Sequence, residues 1–263
     1  MDWFEINSMQ ANPDKFQAMI ISNRAHQITE FHVNGQAIKC ENCVKLLGIW
    51  LDKNLNFNMH ISELCKKAGR QLNALKRLSK CLNSDTKMCI YKCFILCHFN
   101  YCPLVWHFTN KTNTEKMERI QERALRFALD DFTNDYTSLL SKANVPSLVV
   151  SRLRQMSTEI YKALNGLSPT FICSLFENNY NPETLKLHAP CPRTKSAGLR
   201  SLTYQGAKIW NRLPSEIKNA PNLTTFKKLI KTWKGPKCAC NYCRSNIYIT
   251  GHCQWACPSF NLF

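Results

Sequence analysis

Residues 58–80 read NMHISELCKKAGRQLNALKRLSK, and in this run the spacing of the apolar residues changes. Ile61, Leu64, Ala68, Leu72, Leu75 and Leu78 recur at three and four residues, which is one face of an amphipathic helix. Upstream of it the apolar residues come instead in short runs, over 16–22, 28–33, 36–40 and 45–51, rich in Ile, Val, Phe and Leu. Asn34-Gly35, between the second and third runs, is a strong hairpin turn. The reading is α+β: a small antiparallel β region near the N-terminus, then a mainly α-helical bundle.

The helical pattern continues downstream. Ser84-Asp85 is placed to cap a second helix reaching about 98, Pro103 to interrupt or open a third, and Asn113-Thr114 to cap one reaching about 129. Further helices are predicted over 136–143, over 147–165 with Gly166 as the stop, and over 169–176. From 178 to 203 the pattern gives way to Pro, Asn, Arg and Ser, which predicts an extended linker. Helices over 204–213 and 223–233 follow, ended by Gly235-Pro236, and then a cysteine-rich tail. The expected organisation is therefore a β region over 1–56, a helical domain over 57–177, a linker over 178–203, a short helical unit over 204–236 and the tail over 237–263.

Charge narrows the function. The formal net charge is +17, with 35 Lys and Arg against 18 Asp and Glu, a field that attracts polyanions. Lys66, Lys67, Arg70, Lys76, Arg77 and Lys80 crowd the polar side of the helix described above, against the single acid Glu63. Spaced cations of this kind neutralise phosphates without reading sequence, so RNA or DNA backbone is the expected partner; a merely solvated face is the alternative. Hydrophobic residues at 44% and charged residues at 20% place the chain among folded proteins.

The N-terminal residues show no basic segment followed by an apolar run, so the fifteen cysteines are expected to be reduced and the chain intracellular. The most apolar stretch, 89–106, is interrupted by Lys92, His98, Asn100 and Pro103, which predicts a buried helical hairpin and no membrane partner. Cys89, Cys93 and Cys97, four apart within it, are expected to pack as small apolar side chains. In the tail, Cys238, Cys240 and Cys243, followed by His252, Cys253 and Cys257, supply soft ligands for a zinc ion whose fourth ligand stays open; free thiols on a frayed tail are the alternative. No Gly-rich phosphate loop, Gly-x-Ser-x-Gly elbow or His-Glu-x-x-His pair occurs, so neither a small-molecule substrate nor a required cofactor is expected.

Several segments in order carry a resemblance. Trp3-Phe4, Asn12-Pro13-Asp14-Lys15-Phe16-Gln17-Ala18-Met19 and Lys45-Leu46-Leu47-Gly48-Ile49-Trp50-Leu51-Asp52 resemble the end of the palm in reverse transcriptases of jockey-type non-LTR retrotransposons. The likeness continues through Phe99-Asn100-Tyr101-Cys102-Pro103-Leu104-Val105-Trp106, Ile120-Gln121-Glu122-Arg123-Ala124-Leu125-Arg126, Tyr161-Lys162-Ala163-Leu164-Asn165-Gly166-Leu167-Ser168-Pro169 and Gly206-Ala207-Lys208-Ile209-Trp210-Asn211-Arg212-Leu213-Pro214. The resemblance implies that Lys15 stands at the family's motif lysine near the leaving group, that Leu47, Gly48 and Ile49 centre a hairpin like the primer grip, and that the helical domain is thumb-like.

Nucleotidyl transfer in that family needs two metal ions held by carboxylates, from a strand and an aromatic-Ala-Asp-Asp turn upstream of the Lys15 motif. Neither is found in this sequence, and Asp130-Asp131, downstream of the primer-grip segment after an amphipathic helix, reads as a helix-end acidic pair. The expectation is a non-catalytic, nucleic-acid-binding remnant of such a polymerase. The alternatives are an incomplete product of an active RNA-directed DNA polymerase gene and a domesticated protein-interaction scaffold. A palm without its catalytic hairpin would also present open strand edges.

Overall fold

A computed structural model of the chain describes residues 6–10, 12–22, 29–33, 35–192 and 198–235. Cys238, Cys240 and Cys243 lie outside the described residues. The architecture is α+β, in two units covering residues 1–63 and 64–263.

In the first unit, Asn12 starts a turn by accepting the Asp14 backbone N–H on its side chain at 3.0 Å, and a single 3₁₀ turn, Pro13–Lys15, follows. Strands β1 (Glu30–Val33) and β2 (Gln36–Lys39) pair antiparallel, joined at Val33 and Gln36 around Gly35, whose φ is 78°. Strands β3 (Cys43–Leu46) and β4 (Ile49–Asp52) form a second hairpin, with Leu46 opposite Ile49. The two residues between them, Leu47 and Gly48, both have positive φ, 47° and 84°, as the tightest hairpin turns require.

The described β strands form separate two-stranded hairpins, antiparallel as expected. These pairings correct two expectations. Residues 16–22 make only an isolated bridge, Ala18 with Cys40, and 45–51 is a strand, a turn and a strand. Alternation of apolar residues continues across a two-residue turn, so the reversal at Leu47-Gly48 leaves no gap in the pattern. Below this hairpin Asp52 accepts the backbone N–H groups of Asn54, Asn56 and Phe57 at 3.1, 3.0 and 2.6 Å, which folds the chain into the next helix.

Helix α1 (Asn58–Arg77) contains the boundary between the units. Leu64, Ala68 and Leu72 are buried as predicted, whereas Leu78 lies past the helix end and is 55% exposed. Helix α2 (Ser84–Ile90) is capped by Asn83, not by Ser84. It runs on through a π-wound stretch, Tyr91–Leu96, into α3 (Cys97–Asn100), and Pro103 opens α4 (Pro103–Trp106) as its first residue. Tyr91, Ile95 and Phe99 face inward, while Cys89, Cys93 and Cys97 are exposed, contrary to expectation. Both sets are spaced by four and lie on opposite sides of the helix, and the larger apolar side chains gain more from burial.

Helix α5 (Lys111–Leu129) is capped by the Asn110 side chain, which accepts the Asn113 N–H at 2.9 Å; Asn113 and Thr114, expected as the cap, are buried within its first turns. Helices α6 (Tyr136–Ala143), α7 (Leu148–Leu164, capped by Ser147) and α8 (Thr170–Glu177) follow. Gly166, at φ 67°, ends α7 as predicted by letting the Leu167 N–H turn back to the Lys162 carbonyl at 2.8 Å.

The segment expected as a linker carries a small hairpin, β5 (Tyr180–Asn181) with β6 (Lys186–Leu187), docked on α9 (Leu202–Asn211). The Asn211 side chain accepts from the Leu187 N–H and donates to its carbonyl, both at 2.8 Å, and the Trp210 indole donates to the Leu185 carbonyl at 3.2 Å. Helices α10 (Ser215–Lys218) and α11 (Leu223–Ile230) complete the chain's described part. Residues from α7, α9 and α11 share one core, in which Tyr161 stacks on Phe226 at 4.3 Å between ring centres and donates its hydroxyl to the Ala220 carbonyl at 2.8 Å. The short helical unit thus shares its core with the bundle.

A polar knot fixes α5 inside the bundle. The buried Glu118 carboxylate accepts the backbone N–H groups of Leu148 and Val149 at 3.3 and 2.9 Å, occupying the open N-terminus of α7, and lies 2.5 Å from the Tyr136 hydroxyl. Gln121 donates to Tyr91 at 3.0 Å and to the Pro146 carbonyl at 3.1 Å. Burial pushes the Glu118 carboxyl up, opposed by its hydrogen bonds and by Arg152, whose own pKa burial lowers to about 10.

Candidate nucleic-acid interface

The exposed side of α1 follows from its sequence. At about 100° per residue, Arg70 and Arg77 fall within ~40° of Lys66 around the helix axis. All three are exposed, as are Lys67, Lys76 and Lys80, the last on the 3₁₀ turn Ser79–Cys81 beyond the helix. Lys67, Arg70, Lys76, Arg77 and Lys80 form no ion pair with described residues. These five cations therefore face solvent without a carboxylate partner among the described residues.

Helix α5 extends this surface. Gly69 of α1 sits by Ile120, where an added Cβ would lie 3.8 Å from the isoleucine's Cδ1, so the two helices approach each other at this point. Arg123, one turn further along α5, reaches across and donates to the Asn73 side chain at 3.4 Å. Asn73 itself lies between Arg70 and Arg77 on the basic side. Lys116, seven residues before Arg123, is exposed and near enough to Cys65 to oppose the burial that pushes that thiol up to about 11. On the flank, Gln71 meets the His98 ring at 2.6 Å, and burial together with Lys67 holds His98 below its ordinary pKa.

Arg123 and Lys116 were missed by reading helices one at a time. Their seven-residue spacing marks them as neighbours on one face of α5, but only the packing of Gly69 on Ile120 shows which face.

The remaining candidates lie elsewhere. Lys15 is exposed at the end of its 3₁₀ turn. Leu47 and Gly48 form the tip of the second hairpin, with Leu47 81% exposed, while Ile49 points inward and is buried. Asp130 and Asp131 are engaged structurally. Asp130 is the left-handed cap of α5 and holds the buried Lys87 ammonium at 2.7 Å on both oxygens. Asp131 accepts from Lys142 at 2.6 Å and from the Asn134 backbone at 3.1 Å, and these bonds, Lys142 foremost, hold it well below the carboxylate range. Among the described residues no group of three or more metal-ligating side chains gathers, and no helix is long and apolar enough to cross a membrane.

Fold and surface together define an α+β chain whose helical bundle presents a cationic face built from two helices. In sequence the chain is similar to the RNA-directed DNA polymerase from mobile element jockey of Drosophila funebris, 25% identical over 128 residues, and to that of Drosophila melanogaster, 27% identical over 128 residues. The resemblance to jockey-type polymerases is borne out. The matches cover 48% and 47% of this chain and in each case 14% of the relative, so the chain corresponds to a small part of those proteins. No family model matches the chain, and no solved structure does.

Proposed function

We propose that this chain is a non-catalytic, thumb-like portion of a retrotransposon reverse transcriptase that holds RNA or DNA by its phosphate backbone. The observation that carries this reading is Arg123 crossing from α5 to Asn73, which adds a second helix to the basic side formed by Lys66, Arg70 and Arg77. Cations on two packed helices track a backbone over a longer path than one helix face, and they contact phosphates without reading bases. Lys67, Lys76 and Lys80 flank the stripe and strengthen its field.

In the same reading the Leu47-Gly48-Ile49 hairpin is the counterpart of the primer grip, and Lys15 is a surface lysine. The Asp130-Asp131 pair, occupied by Lys87 and Lys142, is not a metal centre.

Charge reversal tests the binding. Lys66→Glu, Arg70→Glu and Arg77→Glu together are expected to weaken binding to RNA and primed duplex, and to reduce the fall of log affinity with log salt by about 0.9 per lost phosphate contact on duplex. The core side chains of α1 are untouched, so circular dichroism should show an unchanged helical signal. A helical triple variant that keeps the wild-type affinity and salt slope would refute the interface, and primer extension by the wild-type chain with Mg²⁺ would refute the non-catalytic reading.

The Cys238, Cys240 and Cys243 cluster is proposed as a zinc site. Protein purified under reducing conditions should then hold about one zinc per chain, displaced by a thiol-reactive mercurial. Metal content at background would remove the site.

A further inference from the structure

A second pair of cations is held together far along the chain from α1. Lys186 lies on β6 and Lys218 at the end of α10, 32 residues later. Asn211 links their elements: its side chain clamps the backbone of Leu187, next to Lys186, while its own carbonyl takes the Lys218 ammonium at 3.5 Å. The Trp210 indole, bonded to the Leu185 carbonyl, fixes the same strand from its other end. The elements that carry the two lysines are thereby joined through hydrogen bonds of the exposed Asn211, beside the buried Trp210.

Their charge is not answered there. Neither lysine forms an ion pair with a described residue. Lys218 is half-buried, and burial followed by the charge of Lys186 lowers its pKa, as expected for two ammonium groups within electrostatic reach of each other. Residues 198–235 carry eight Lys and Arg and a single acid, Glu216, while Glu183 lies in the turn three residues before Lys186. Holding two cations together costs free energy that a shared anion recovers, and a tetrahedral oxyanion accepts hydrogen bonds from both.

We propose that Lys186 and Lys218 form a phosphate-binding pair that grips one phosphodiester of a bound nucleic acid, a contact separate from the basic side of α1 and α5. This rests on the nucleic-acid reading above and adds to it the part of the chain from β5 to α11. The weak 3.5 Å bond to Asn211 leaves Lys218 protons for the ligand. The clamped backbone beside Lys186 and the Lys218 bond to Asn211 distinguish the pair from Lys227 and Lys228, which are exposed on α11.

Two measurements on the full chain test it. In the first, lysines are ¹³C-methylated and followed by NMR during titration with inorganic phosphate; the Lys186 and Lys218 signals are expected to move together and saturate. Unsaturable drift shared by all lysines overturns the site. In the second, Lys186→Gln with Lys218→Gln is compared with Lys227→Gln with Lys228→Gln for binding to a single-stranded RNA and a DNA duplex. The first pair is expected to weaken duplex binding several-fold and to lower the salt slope by about 0.9, because both ammoniums share one phosphate.

Equal effects from the two double variants would mean a diffuse field and overturn the proposal. Saturable phosphate binding with unchanged nucleic-acid affinity would make this a free-phosphate site, which also overturns it. If the α1 triple variant loses binding while the Lys186 and Lys218 variant does not, the pair fails and the α1 interface stands. If the wild-type chain binds neither nucleic acid, both fail.

Discussion

Residues 1–63 and residues 64–263 hold themselves together in different ways. Among its described residues the first unit buries Ile49, Phe57, His60 and Ile61, and leaves Ile6, Ile21, Leu46 and Leu47 largely exposed. Its hairpins are separate two-stranded pieces, the size at which strands alone are barely stable in water. The second unit buries Trp106, Met117, Leu125, Met156, Trp210 and Phe226 almost completely, and ties its helices with the Glu118 knot. Helices satisfy their own backbone and need only an apolar stripe in common, whereas strands need partners on both edges. The difference teaches that helices packed on a shared apolar core are held more securely than isolated two-stranded hairpins.

The sharpest way to break this comparison is to remove one core side chain from each unit. Trp210→Ala is expected to cost the second unit about 3–5 kcal/mol, while Ile49→Ala should cost the first unit ~2 kcal/mol, since its more open surroundings collapse more easily. Urea unfolding followed separately by a fluorophore in each unit would measure both; equal losses would contradict the contrast.

A smaller effect concerns pH. Burial, helped by Arg152, lowers the His107 pKa to about 3, so the folded chain keeps this imidazole neutral where the unfolded chain protonates it near 6.5. The unfolded state therefore binds the extra proton, and stability is fully present above pH 6.5 and lost as pH falls towards about 3. The slope due to His107 is at most about 1.4 kcal/mol per pH unit. Asp131, depressed by Lys142, adds to the loss only below its ordinary 3.8. Thermal melts of wild type and His107→Phe between pH 7 and 5 should show a shallower decline in the variant, and parallel declines would dismiss His107 as the source.

The smallest expected change sharpens the picture of the first unit. Leu47 sits at φ 47° on an exposed turn, a conformation that costs a side chain with a Cβ about 1 kcal/mol and that glycine adopts freely. Leu47→Gly should therefore steady the β3–β4 hairpin by up to ~1 kcal/mol, seen as slower amide exchange in those strands. Faster exchange would show that the leucine side chain supports the hairpin.

Some of this was readable directly from residue order. The three-and-four spacing from Ile61 to Leu72 marked the buried side of α1 and, by exclusion, the solvent side that carries Lys66, Arg70 and Arg77. Ser147 and Gly166 marked the ends of α7 because capping and left-handed termination are properties of one or two residues. The caps fall at Asn83 and Asn110 and not at the neighbouring Ser84-Asp85 and Asn113-Thr114, because all of these are able cap residues and only the backbone path chooses among them.

The rest was decided by packing. Spacing by four is the same for Cys89, Cys93 and Cys97 as for Tyr91, Ile95 and Phe99, and burial of the larger set settled which turned inward. The Pro- and Asn-rich stretch after α8 has no period of its own, yet it docks through Asn211 and Trp210, residues more than twenty positions away. Arg123 joined the α1 surface, and Lys218 reached the carbonyl of the residue that clamps β6, for the same reason. A sequence determines by itself what depends on neighbours within one or two turns, because backbone geometry fixes those distances; which distant side chains share a surface depends on how helices and strands close around a common core.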